Sequence, residues 1–196
     1  MTADEAIRRI NIVVDNTITQ WGKMMLEVAE SANTNLKDRI INTGYNAEGR
    51  QYDPYSTTPM LANCKSMTQS ACSKVAGSKT KRKDLKWVTL QRGGKNVRLF
   101  ELAGGYKEFR ELHGRQTGFV DFAFSGRMWA GVQIVSSDGE HANGIARIST
   151  LSDEQMKKLE GNTKRKGVLL DLNQAEIDKL AKIVSERLTR IWQQEL

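Results

Sequence analysis

The sequence predicts a mixed α and β chain, and three observations carry that prediction. Ile7, Ile10, Val14, Ile18, Trp21, Met25, Val28, Ala32, Leu36 and Ile40 recur at three- and four-residue steps, the mark of one long amphipathic helix at the N-terminus. Ile177, Leu180, Val184, Leu188 and Ile191 repeat that spacing at the C-terminus. Between them lie short β-rich runs separated by turn residues.

The N-terminal helix is expected over residues 2–43, started by a Thr2–Glu5 capping box and weakened at Ser31–Asn35. Unbroken, it runs roughly 60 Å at 1.5 Å per residue, more apolar stripe than a small domain covers. Either it folds back on itself, or part of it packs on another subunit. Gly44–Pro59 reads as a loop, and Met60–Val75 has weak helical character. Two β-rich runs, Lys86–Leu90 and Val97–Glu101, flank Gly93-Gly94 and read as a hairpin, approached by a basic loop at 77–84. Tyr106, Phe109 and Leu112 then share one helical face. Val120–Phe124 and Met128–Ile134 alternate as two strands joined across Ser125-Gly126. Gly104–Ile134, which holds Tyr106, Phe109, Phe119, Phe122, Phe124 and Trp129, is the expected centre of the core. A turn at 136–143, a strand at 144–149, and a helix from a Ser152–Gln155 box to about Leu159 follow. Gly161–Gly167 reads as a basic loop, Val168–Leu172 as a short apolar run, and Asn173 as the cap of the last helix, with Glu176 three residues on.

At 196 residues and 22.0 kDa the chain suits a single domain, with a helical arm at about 2–43 and a basic loop-hairpin at about 74–101. No window is apolar enough for a membrane span, and the N-terminus lacks a secretory signal, so a protein made and used without secretion is expected. Cys64 and Cys72 are too few for a disulfide framework and have no partners for zinc, so two reduced thiols are expected. Lys74–Arg98 carries nine basic residues and one acid, a net of +8 in a chain of +7. The rest is therefore close to neutral, and the basicity is a local device suited to a polyanion, although a solvated basic loop is the plainer reading.

No catalytic constellation stands out. His113 and His141 are the only histidines, and no phosphate-binding or dinucleotide glycine pattern occurs. Glu108, Glu111 and His113 read better as helix surface than as a metal cluster, and Asp121, a conceivable general base, alternates onto the polar side of a strand. The expectation is a non-enzyme with no cofactor and no metal.

Three segments resemble the phage neck and tail-completion proteins, also called minor tail or virion-morphogenesis proteins. They are the YDPYS loop within Gly44–Ser56, the run GGYKEFRELHGRQTGFVDFAFSGRMWAGV, and Arg165–Ile177, where a basic residue precedes an apolar run and a capped helix. The resemblance implies an α+β fold in which a curved antiparallel sheet carries a long N-terminal helix and a C-terminal helix. It also implies a homo-oligomeric ring of six or twelve in the virion, assembled in the host cytoplasm. There the ring would join head and tail around the DNA channel and meet other neck, portal-adaptor or tail-tube proteins. On that reading Lys79, Lys81, Arg82, Lys83, Lys86, Arg92 and Lys95 are candidate contacts to DNA or a protein partner. Trp21, Met25, Tyr106, Phe109 and Trp129 are candidate subunit-interface residues. The alternative is a sequence-independent nucleic-acid-binding protein using the basic hairpin at 74–98.

Overall fold

A computed structural model describes residues 3–76, 85–123, 125–135 and 145–195. The protein is α+β. The described helices are α1 (Ala3–Thr43), α2 (Gln69–Ala76), α3 (Gly105–Leu112), α4 (Arg127–Gly131), α5 (Asp153–Lys166) and α6 (Gln174–Glu195). The strands are β1 (Met60–Ala62), β2 (Trp87–Arg92), β3 (Lys95–Leu102), β4 (Val132–Ile134) and β5 (Ile148–Thr150), arranged as two small antiparallel sheets rather than one. The chain divides into two compact units, residues 1–52 with 121–196, and residues 53–120.

The first unit is built on α1 and α6. The sequence Ser31–Asn35, expected to be a weak point, does not interrupt α1. Ala32, Leu36 and Ile40 are buried there, and the packing outweighs poor helix propensity. The Thr2–Glu5 capping box lies outside the described residues. At the other end of the chain the predicted capping box is present: Glu176 N donates to Asn173 Oδ1 at 2.8 Å, and Asn173 N donates to Glu176 Oε2 at 2.9 Å. The two helices run antiparallel. Arg39 Nε donates to Glu176 Oε1 at 2.8 Å, Lys179 Nζ to Asn35 Oδ1 at 2.9 Å, and Arg187 Nη2 to Glu27 Oε2 at 2.7 Å.

Two expectations are corrected in this unit. Val120–Phe124 and Met128–Ile134 are not two strands across Ser125-Gly126. Phe122 turns the backbone to a φ of 53°, the Asp121 side chain accepts from Ala123 N at 2.8 Å, and Gly126, at a φ of 75°, starts the one-turn helix α4. Only Val132–Ile134 is strand, paired with Ile148–Thr150. The helix predicted to end near Leu159 continues to Lys166, through the supposed basic loop. Gly161 costs it only about 1 kcal/mol, and Lys164, Arg165 and Lys166 in its last turn suit the helix dipole.

The second unit holds the predicted hairpin. β2 pairs with β3 from Trp87↔Phe100 to Arg92↔Lys95, and β1 adds to the other side of β3 with Leu61 opposite Glu101. Gly93 and Gly94, at φ values of 56° and 73°, form the two-residue turn, which needs left-handed backbone at both positions. Met60–Val75, expected as a weak helix, is instead strand β1, a single 3₁₀ turn at Cys64–Ser66, and α2. The reduced-thiol expectation is also overturned: Cys64 and Cys72 form a disulfide, their Cα atoms 5.2 Å apart. The 3₁₀ turn, closed by a reciprocal Asn63–Ser66 cap, brings Cys64 back toward α2, and the eight-residue separation conceals that proximity.

Candidate functional site

Two of the segments that carry the family resemblance pack on one another inside the second unit. Gly105 sits at a φ of 62°, and a Cβ there would lie 2.2 Å from the Thr58 carbonyl oxygen, so only glycine lets α3 start against the Ser56–Thr58 backbone. Lys107 N donates to Ser56 O at 3.0 Å, joining the first turn of α3 to the same loop. The Tyr106 ring meets Tyr55 edge-on, with centroids 5.7 Å apart. Arg110, only 1% exposed, lays its guanidinium 4.3 Å from the centre of the Tyr55 ring and donates from Nε to Gln116 O at 3.1 Å. Glu108 turns back to accept from Gly104 N at 2.8 Å, and His113 Nδ1 lies 2.7 Å from Phe109 O. In GGYKEFR, then, the second glycine, the tyrosine and the arginine have structural work, and Glu108, with His113 beyond the motif, is occupied in hydrogen bonds along α3.

The other half of the motif belongs to the first unit. Trp129 is buried and donates from Nε1 to Asp121 O at 2.9 Å, while Met128 is buried beside it in sequence. Asp121 is itself buried, away from the exposed strand face predicted for it. Among the described residues no group of three or more His, Cys, Asp and Glu side chains is placed to hold a metal ion.

Of the basic candidates, Lys79, Lys81, Arg82 and Lys83 lie outside the described residues. Lys86, Arg92 and Lys95 are exposed on the hairpin. Arg92 and Lys95 stand directly opposite one another at its tip, two cations on one face of the ladder. Lys86 pairs across the sheet with Glu101 at 3.7 Å. Arg98, not among the candidates, holds its guanidinium 4.2 Å from the centre of the half-exposed Trp87 ring. The register makes that cation and ring neighbours on one face, and the hairpin pattern with its Gly-Gly turn contained the signal.

The interface candidates separate. Phe109 and Trp129 are buried within their own units, so they are core residues and not interface surface. Trp21 and Met25 are partly buried on α1, and Tyr106 is partly exposed. The exposed apolar surface that the stripe did point to lies nearer the N-terminus: Ile7, Ile10, Val14 and Ile18 are all exposed, Ile18 to 65%. A groove lined by Ile10, Val13, Val14, Thr17, Ile18 and Trp192 runs along it.

Among the described residues no helix is long and apolar enough to cross a membrane. No family model, no curated protein and no solved structure matches the chain.

Proposed function

We propose that the chain is a structural, non-enzymatic virion protein of the phage neck or tail terminus. It assembles into a ring of six or twelve between head and tail, around the DNA channel. The observation that carries this reading is the packing of GGYKEFR on the Tyr55–Thr58 loop. These two stretches resemble the neck and tail-completion proteins separately, and they form one folded unit whose motif residues support a scaffold. Portal-adaptor and tail-tube proteins are the expected neighbours of such a ring, and the hairpin cations would face either those proteins or the passing DNA.

The test is electron microscopy of the purified chain at rising concentration, alone and mixed with a phage portal or tail-tube protein. Closed rings with a central opening are expected. Particles with neither rings nor incorporation into a neck overturn the reading.

The exposed Arg92 and Lys95 on one face of the hairpin, and Arg98 on Trp87 on the other, favour one second reading, a sequence-independent nucleic-acid-binding protein. On that reading an isolated monomer binds duplex DNA of any sequence, and each of Lys95→Ala and Arg92→Ala lowers the salt slope of log K by roughly one. Binding that is absent at low salt removes this alternative.

A further inference from the structure

The first turns of α1 extend past the end of α6. The ion pairs and hydrogen bonds between α1 and α6 match Arg39 with Glu176, Asn35 with Lys179 and Glu27 with Arg187. Continued at the same pitch, that register sets Glu195, the end of α6, level with about residue 19 of α1. Roughly 16 residues, some 24 Å of helix, then run on without α6 beside them. None of residues 4–23 is buried among the described side chains. Yet Ile7, Ile10, Val14 and Ile18 continue the face that the same helix buries at Met24, Ala32 and Leu36. The apolar surface thus carries on past the end of α6, and among the described residues outside α1 Trp192 lines the groove beside it.

The charges flanking that stripe identify what covers it. Arg8 and Asp15 are seven residues apart, two turns, and so share one flank of the stripe. A two-fold axis near residue 12 that lays a second arm antiparallel on the first brings each flank against its own copy. Ile10 then faces Val14 of the second copy, and Ile7 comes level with Ile18. Arg8 meets Asp15 twice, once on each side of the axis. Parallel pairing would instead set that flank against the opposite one, where Ala6, Val13 and Gln20 offer Arg8 no acid.

We infer that the α1 arm is a self-recognition element: two copies of this chain pair through residues 7–18 of α1 in an antiparallel, isologous contact. The contact does not rest on the virion reading, since it needs only the arm, and it pairs free chains as readily as two rings.

The test is mass in solution by light scattering, with circular dichroism to confirm that each variant keeps its helix content. The wild-type chain is expected at an even multiple of 22.0 kDa, and Val14→Asp is expected to halve it. Arg8→Asp, which sets four acids around the axis, weakens association about tenfold or more. Adding Asp15→Arg to it exchanges the two charges and restores the wild-type mass. A wild-type monomer at all concentrations overturns the inference. A mass that Val14→Asp leaves unchanged does so too, and in that case closed rings would still uphold the neck reading. Dissociation by Val14→Asp without rescue by the exchanged pair shows that the stripe is covered by something other than an antiparallel second arm, and overturns it as well.

Discussion

Gly105 tests the unit built around Tyr55 more sharply than any charged residue. Gly105→Ala drives a methyl into the Thr58 carbonyl and asks alanine to hold a φ of 62°, so a loss of about 3 kcal/mol or more is expected in denaturant unfolding of the second unit. Arg39 has the same standing in the first unit. Its side chain and that of Glu176 are both 10% exposed, and it also donates to Tyr45 O at 2.8 Å and Asp171 O at 2.6 Å. Removing it leaves the Glu176 carboxylate with its Asn173 bond and opens the two exposed carbonyls to water, and Arg39→Ala is expected to cost about 2–3 kcal/mol by the same measurement. Tyr52 gives a prediction in pH. Burial, more than any neighbouring charge, raises its phenol above the ordinary 10.0. The folded state then holds the proton where the unfolded chain releases it, so this contribution is whole below about pH 10 and is lost as pH climbs toward the raised value. Lys37 acts in the opposite sense, since burial lowers its amine and the penalty fades as pH rises. Because Lys37 is common to both proteins, Tyr52→Phe isolates the tyrosine: it should flatten the alkaline fall in stability, and an unchanged slope would refute the assignment. The substitution gives up only a 3.3 Å hydrogen bond to Val168 O.

At the scale of elements, the disulfide closes a short loop around the 3₁₀ turn and fixes β1 to α2. Cys64→Ser with Cys72→Ser is expected to lower stability by roughly 2–3 kcal/mol, read from the denaturation midpoint against the oxidised protein. The bond was illegible in the sequence because the spacing of two cysteines carries no information on the distance between their Cα atoms. Other elements were open to reading because their signals are local and chemically specific. Gly93-Gly94 supplies backbone freedom at both turn positions, and Asn173 with Glu176 supplies both halves of a reciprocal cap. Residues 120–134 misled because over five residues a strand alternation and a single helical turn look alike, and the arbiters were the Asp121 turn and the left-handed Phe122. The candidate surfaces divide on similar lines. Charge clustering located the hairpin cations. Aromatic content did not separate core from surface, since Phe109 and Trp129 are buried by neighbours distant from them in sequence, while Trp192 is 53% exposed.

For the whole molecule, the long stripe is more apolar surface than the described residues of its unit cover, and the excess lies in the first half of α1. This gives one continuous hydrogen-bonded helix two different attachments. From Met24 to Ile40 it is held by packing and by the Arg39 and Arg187 ion pairs; from Asp4 to about residue 18 none of its side chains is buried within the chain's described residues. Amide exchange follows the cost of opening, so in the unpaired Val14→Asp chain protons of the first half of α1 are expected to exchange quickly and those of the second half slowly, with the change near Met24, whereas in the paired wild-type chain protection extends into residues 7–18. The backbone hydrogen bonds of such a rod form a built-in gauge of occupancy. Whatever settles on the tip slows exchange there without a new helix having to form, and the position at which protection stops marks, residue by residue, how far along the rod the visitor reaches.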